Sequence, residues 1–515
     1  MAKKPTRAIR IPPLLRYFVL PFLSSSITLF ISSLLGFVED DKTFALQFAF
    51  WGFLYLAVTA TFLAATTPSR QMFSDEVYVL IAYSWIVTPI LSALPVSYTL
   101  KIPFHDAWFE SVSGYTTTGL TIFTGGISPE SGTYIPAVEE LPPTVLWWRA
   151  STQWIGGFGI VVLFYTLAQL GGLPAYLVGQ AEGRYERLEP SIAKSLRALM
   201  QVYIFITSIA AAALLLSGAS LRDSLYHAMT GVATGGFSTH SNSLGYYPPV
   251  VGLASVVGML LGASNFADIY TFLKRMKRPY SGEVTTLLKL LATGTVGGIA
   301  ILALTGYRLS EAAWDSFYHV ASAITGTGFS VADLSSKPEA YKALLVGVML
   351  VGGSVLSTTG GIKVYRVMVI AKSFRMVIVE SIYGRSRAVS LRLGRSQLTN
   401  EDIRRTLAVF FSFVLTLFIG SILLTMSSKA HFVDALFEAQ SALCTVGLSV
   451  NIANASAYWH TKLVLIGLML AGRLEVIGYL YAISGARSIV SRLSLGGKKV
   501  KTPTKLGWRE PITAR

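Results

Sequence analysis

Four segments of this 515-residue chain carry groups able to coordinate a bare cation, and they carry them at one spacing. Read from an aspartate, they are DAWFESVSGYTTTGLT from Asp106, DSLYHAMTGVATGGFS from Asp223, DSFYHVASAITGTGFS from Asp315 and DALFEAQSALCTVGLS from Asp434. In each, a glycine follows the aspartate by thirteen positions: Gly119, Gly236, Gly328 and Gly447. The chemistry on offer is that of the backbone. Glycine takes positive φ without steric cost, so consecutive carbonyls can turn toward one axis. Rings of carbonyls replace the hydration shell of a cation in known filters. The candidate ligands are Thr117, Thr118 and Gly119; Thr234, Gly235 and Gly236; Gly326, Thr327 and Gly328; and Thr445, Val446 and Gly447. Close helix packing explains one such glycine segment but not four in register.

These groups need elements that bring them to one place. Asp106, Asp223, Asp315 and Asp434 are expected as helix N-caps, their carboxylates accepting the first free backbone N–H groups. A helix begun there runs about ten residues before the Thr/Gly segment, about 15 Å at about 1.5 Å per residue. That is half a bilayer. A half-length helix followed by irregular backbone must be re-entrant, and such backbone survives at membrane depth only inside protein or along an aqueous path. The helix C-termini then aim partial negative charge at the membrane centre, which favours a cation.

The surrounding chain is suited to a membrane. It is 52% hydrophobic and 14% charged, and ten apolar runs approach or exceed the roughly 20 residues that span a bilayer. They are 17–38, 44–66, 77–97, 154–177, 198–217, 250–273, 284–305, 343–370, 407–426 and 463–490. The first run is too long for a signal peptide and lacks a small-residue cleavage site. The net charge of +16 collects around Lys3–Arg16, Arg184–Arg197, Lys274–Arg278, Arg385–Arg405 and Lys498–Lys505. Alternating spans put these clusters on one side, cytoplasmic by the positive-inside rule, with both termini there. The basic excess is thus read as topology, with no nucleic-acid partner. A single cysteine, Cys444, excludes an intrachain disulfide.

A second repeat follows the first: QWIGGFG, MLLGASN, MLVGGSV and MLAGRLE. Its leading glycines are Gly156, Gly262, Gly352 and Gly472, and the next position reads Gly157, Ala263, Gly353 and Arg473. Small residues let membrane helices pack closely, which accounts for the glycines and leaves the arginine unexplained. An arginine within a span normally faces a polar cavity. The third unit continues as GGSVLSTTGGIKVYR from Gly352 to Arg366, a poor helix in mid-span. At one further position Glu110, His227, His319 and Glu438 correspond, and hydrogen bonds that fix the short helices are favoured there over proton sensing.

With its four span–pore-loop–span units, each holding one filter glycine, the chain resembles the Trk/Ktr/HKT superfamily of potassium transporters over nearly its whole length. Thr445-Val446-Gly447 also repeats the T-V-G that opens the potassium-channel loop. Two spans before the first unit make it similar to the TrkH branch. The resemblance implies an all-α polytopic membrane protein with four pseudo-symmetric units around one central pore and two extra N-terminal spans. The units expected are residues 1–70 for the extra pair, 71–185, 186–280, 281–400 with an intramembrane gating loop, and 401–515 with a basic cytoplasmic tail. It further implies potassium as substrate at the filter residues, with rubidium accepted and no cofactor. A homodimer in the cytoplasmic membrane and a cytosolic nucleotide-binding subunit of TrkA type are implied as well. Serine at the first filter position accompanies sodium preference in plant relatives, and Gly119 stands there in this chain. The implied gate comprises Gly352, Gly353, Ser354, Ser357, Thr358, Thr359, Gly360 and Gly361, with Arg473 in the pore beneath the filter.

Two rival functions differ in class. One is a sodium-permeable or weakly selective cation pathway on the same fold. The other is an intramembrane enzyme, which would need carboxylates or a His/metal group clustered within the spans. The acidic triplet Glu39-Asp40-Asp41 falls instead in a short external loop.

Overall fold

The computed structural model describes residues 9–70, 72–159, 192–275, 282–383, 392–393, 396–398 and 400–494. The basic residues Lys3, Lys4, Arg7, Arg184 and Arg187 and the tail around Lys498–Lys505 lie outside them. The protein is all-α, with only two-stranded pairings beside the helices among the described residues.

Six of the ten apolar runs form single helices long and apolar enough to cross a membrane. The others depart from straight spans. Run 250–273 bends by 97° between Pro249–Ala263 and Asp268–Lys274, and run 463–490 bends by 86° between Trp459–Leu474 and Gly478–Val490. Run 343–370 is interrupted: the helix Glu339–Val351 stops at Gly352 and helix resumes at Val364–Tyr383. Run 154–177 leaves the described residues after Gly159, where its helix Pro143–Phe158 ends. Each of the four departures falls at or just after the second repeat, and in unit three the Gly/Ser/Thr composition of the interruption forms helix poorly.

The helices group in threes. A long helix leads to a half-length one, of 12 residues in units one, two and four and 16 in unit three, then to the second long helix of the unit, which in unit three runs only 13 residues: Ser74–Leu100, Phe104–Tyr115 and Pro143–Phe158 in unit one; Ile192–Leu216, Leu221–Val232 and Pro249–Ala263 in unit two. Units three and four follow with Glu283–Leu304, Leu309–Ile324 and Glu339–Val351, then Asn400–Ser428, Phe432–Leu443 and Trp459–Ser494. The second long helix of each unit packs against the half-length helix of the next, and that of unit four packs against Phe104–Tyr115 of unit one. The units therefore close into a ring. Helix Leu20–Val38 braces unit one through hydroxyls: Ser25 Oγ donates to Thr88 O at 3.2 Å, and Tyr115 Oη donates to Thr28 Oγ1 at 2.8 Å.

The expected aspartate N-caps are corrected. The N-cap positions belong to Pro103, Ser220, Arg308 and His431. Asp106, Asp223 and Asp434 sit third in their helices, and Asp315 lies in the second turn of Leu309–Ile324. Within the helix their carboxylates are free to take other partners. Asp106 accepts from Lys462 Nζ at 2.5 Å, Asp434 from Lys342 Nζ at 2.7 Å, Asp315 from Lys337, and Asp223 from Thr239 Oγ1 at 2.8 Å. Lys462 and Lys342 stand at the starts of second long helices, so two of the four unit-to-unit contacts carry an ion pair.

Candidate cation pathway

At the end of each half-length helix the backbone repeats one conformation. Thr117, Thr234, Gly326 and Thr445 have φ of 55°, 53°, 63° and 50°, and Gly119, Gly236, Gly328 and Gly447 have φ of 92°, 76°, 87° and 97°. A left-handed residue at every second position keeps the strand turning to one side. For the threonines this conformation costs about 1–2 kcal/mol, which the surrounding structure must offset. The amides turn back onto the helix ends in the same way four times. Thr118 N, Gly235 N, Thr327 N and Val446 N donate to Ser113 O, Thr230 O, Ser322 O and Ser441 O at 2.8, 2.8, 2.9 and 2.8 Å.

With the amides engaged, the carbonyls are left over. Of the carbonyls of Thr117–Gly119, Thr234–Gly236, Gly326–Gly328 and Thr445–Gly447, only that of Gly235 accepts a hydrogen bond among the described residues. Buried carbonyls are almost always paired, so this concentration of unpaired oxygens is what a cation site requires.

The four strands also meet. A Cβ placed on Gly119 would lie under 3.0 Å from Gly235 O, one on Gly236 from Thr327 O, one on Gly328 from Val446 O, and one on Gly447 from Thr118 O. Each filter glycine touches the carbonyl preceding the filter glycine of the next unit, and the fourth returns to the first. Sequence repetition alone does not bring these positions together; ring closure does.

Outward of the ring, the matched residues Glu110, His227, His319 and Glu438 tie each short helix to the segment leaving its filter. Glu110 accepts from Thr121 Oγ1 at 2.9 Å and Ile122 N at 3.1 Å; Glu438 accepts from Ser449 Oγ at 2.8 Å and Val450 N at 2.9 Å. His227 Nδ1 faces Asp223 O at 2.8 Å, and since a carbonyl only accepts, Nε2 accepts from Ser238 Oγ at 2.9 Å. Val331 N donates to His319 Nε2 at 3.4 Å. Arg149 adds a bond from the unit-one helix, donating to Glu110 Oε1 at 2.7 Å and to Ser238 O at 2.8 Å in unit two.

Inward of the ring, the symmetry ends. Gly156, Gly262 and Gly472 lie so close to the ends of the short helices that a Cβ would overlap Tyr115 O, Val232 O and Leu443 O. Their role is close packing, the plainer of the two readings. Gly352 instead faces Gly360 O, because the third unit has opened into a loop. Gly352 and Gly361, with φ of 69° and 75°, form the neck of that loop, closed by Ile362 N to Leu350 O at 3.1 Å and Lys363 N to Val351 O at 2.8 Å. Ser357 Oγ donates to Ser354 O at 2.5 Å, and Thr359 Oγ1 accepts from Gly353 N at 3.0 Å, which makes the loop compact. It docks on unit two, where Ser354 N donates to Ala263 O at 2.9 Å and Thr358 Oγ1 to Val232 O at 2.9 Å. Gly360 lies against Cys444 O and Thr445 Oγ1 of unit four. The loop therefore spans the space directly inward of the ring.

Arg473 reaches the same space. Its guanidinium donates to Thr358 O at 3.0 Å, to Gly156 O at 2.6 Å and to Thr117 Oγ1 at 3.2 Å, joining the loop, the unit-one helix and the Thr117–Gly119 strand. Cys444, at the end of the short helix of unit four, is buried, its Sγ accepting from Gln440 Nε2 at 3.2 Å.

Two polar residues of this region escaped the sequence reading. Glu283 accepts from Val355 N of the loop at 3.1 Å and from Asn265 Nδ2 at 2.9 Å; its signal is a lone carboxylate at the start of an apolar run. Gln153 holds the strand Thr234–Gly236 of unit two; its signal is a glutamine where the other three repeats begin with methionine.

A family model described as TrkH, cation transport protein, matches residues 45–293 and 284–486. An uncharacterized cation transporter of Methanocaldococcus jannaschii is 30% identical over 439 residues, covering 85% of this chain and 88% of the relative. The Trk system potassium uptake protein TrkI of Halomonas elongata is 30% identical over 501 residues, covering 92% and 96%. Escherichia coli K12 TrkH, a Trk system potassium uptake protein, is 27% identical, covering 82% and 89%. The crystal structure of the potassium transporter TrkH from Vibrio parahaemolyticus superposes with a TM-score of 0.76 at 24% identity, covering 90% of this chain and 98% of that one.

Proposed function

The chain belongs to the TrkH family of cation transport proteins, and from that premise we propose that it takes up potassium selectively through the carbonyl ring around Gly119, Gly236, Gly328 and Gly447. One observation carries the reading: four left-handed Thr/Gly strands meet glycine to carbonyl around one axis, with all but one of their candidate carbonyls unpaired. A potassium ion entering there exchanges water for carbonyl oxygens, while the C-termini of four short helices supply partial negative charge.

The loop from Gly352 to Gly361 and Arg473 oppose conduction, the loop by filling the path and the arginine by its charge. Two unit charges about 4 Å apart interact by about 4 kcal/mol at an effective dielectric of about 20. Opening requires both to leave the axis, and the Thr358–Arg473 hydrogen bond couples their movements. The four units are taken as residues 71–185, 186–280, 281–400 and 401–515, after an N-terminal pair within 1–70. The protein lies in the cytoplasmic membrane with both termini inside, as a homodimer, and a cytosolic nucleotide-binding subunit of TrkA type governs its opening. Relatives named as potassium uptake proteins support a transport function over an intramembrane enzyme.

The test is rescue of growth at low potassium in cells stripped of their own uptake systems, with and without such a regulatory subunit. It is paired with rubidium and sodium flux into vesicles. Rescue with rubidium preferred supports the proposal; equal rubidium and sodium flux favours the weakly selective alternative.

A further inference from the structure

Among the described residues one carbonyl of the ring differs from the rest in being hydrogen-bonded, and it lies at the contact of units one and two. Gln153 is buried on the helix Pro143–Phe158. Its Nε2 donates to Gly235 O at 2.6 Å, and its Oε1 accepts from Phe237 N at 3.1 Å. A carbonyl only accepts and a backbone amide only donates, so the partners fix the orientation of the carboxamide. The side chain thus spans Gly236 from one flank to the other and ties down the filter strand of the next unit. The other repeats carry Met259, Met349 and Met469 at this position, all buried, with no polar group to offer.

Gly235 is the counterpart. The other units have Thr118, Thr327 and Val446 there. A Cβ on Gly235 would lie under 3.0 Å from the Gln153 carboxamide, so the missing side chain makes room for the amide. Gly235 is absent from the positive-φ residues, so its backbone does not require glycine. Space for Gln153 does.

Building on the potassium reading above, we propose that Gln153 is a positioning residue for ion selectivity. It pins one carbonyl of the ring at a fixed place and withdraws part of its electron density from the ion. The ring is therefore three adaptable quadrants and one held quadrant. A held carbonyl resists drawing inward around an ion smaller than potassium, so the bond favours potassium over sodium.

Rubidium and sodium influx are compared in vesicles containing the full-length parent, Gln153→Met, Gly235→Ala and the double variant Gln153→Met/Gly235→Thr. The double variant copies the residues that units two and three carry at these positions, Met259 and Thr327, both buried, which protects its folding. Each variant is expected to keep conducting while its rubidium-to-sodium ratio falls about fivefold, the equilibrium factor of one net hydrogen bond. A purely structural role would lower the yield or both fluxes together and leave the ratio alone. A selective parent with an unchanged ratio in the folded double variant and in Gly235→Ala overturns the role of Gln153. A parent with no rubidium preference overturns the potassium reading itself, and this inference with it.

Discussion

The two sides of the carbonyl ring are built on opposite plans. At the ring and outward of it, each unit repeats the same left-handed pair, the same amide bond back to its helix and the same tie from the short helix to the departing strand. Inward of it, the four second helices stop or bend differently, one unit contributes a loop and another an arginine. A coordination shell surrounds an ion, so equal contributions from all sides fill it. A gate needs only one obstruction that can withdraw. On the proposed reading, symmetry serves binding, and its loss serves control.

The comparison can be broken first at the outer anchors. Lys462 pairs with buried Asp106 across the contact of units four and one, whereas the corresponding residues of units one and two are Leu146 and Gly252. Lys462→Met leaves Asp106 without its cation, which costs about 3–5 kcal/mol. A thermal-unfolding midpoint unchanged in detergent would show that the ring does not depend on this pair.

Substitution within the ring tests the symmetry itself. Gly→Ala at 119, 236, 328 or 447 adds left-handed strain to an overlap with the neighbouring carbonyl. Together these predict a loss of potassium flux of about a hundredfold. The loss should be similar at all four sites, and Gly119→Ser should also lower potassium preference over sodium. A loss confined to one site would mean that the units are not equivalent.

On the inner side, single changes should act singly. Arg473→Ala, and separately a shortening of Ser354–Thr359, should each raise basal potassium flux about tenfold, part of the about 4 kcal/mol repulsion being removed in the first case. Selectivity should persist in both. Variants conducting no faster than the parent, at matched protein levels, would refute the gate. Glu283→Gln should act more weakly in the same direction, because it weakens the charge-assisted hold on Val355 N without removing the acceptor.

The smallest effect belongs to the histidine tie. His227→Phe removes the bonds to Asp223 O and Ser238 Oγ, with a stability loss of about 1 kcal/mol per bond. A change in the pH dependence of flux without that loss would instead point to proton sensing.

Much of the ring was legible in the sequence because its causes are local. A thirteen-residue spacing marks where each short helix ends, and glycine after threonine marks where the backbone must turn left-handed. The break inside run 343–370 was legible for the same reason, since a Gly/Ser/Thr stretch disfavours helix wherever it lies. The aspartates misled, because a carboxylate near a helix start satisfies the cap pattern equally well one turn inside; for Asp106, Asp315 and Asp434 the partner is a lysine, up to 356 residues away, and for Asp223 it is Thr239. Only the closed ring decides that the second helix of one unit meets the short helix of the next. That closure sets Lys462 on Asp106, Gln153 on Gly235 and Arg473 on Thr358. Spacing along a chain encodes turns and helices, whose bonds join near neighbours; contacts across hundreds of residues exist only once the units have assembled around a common axis.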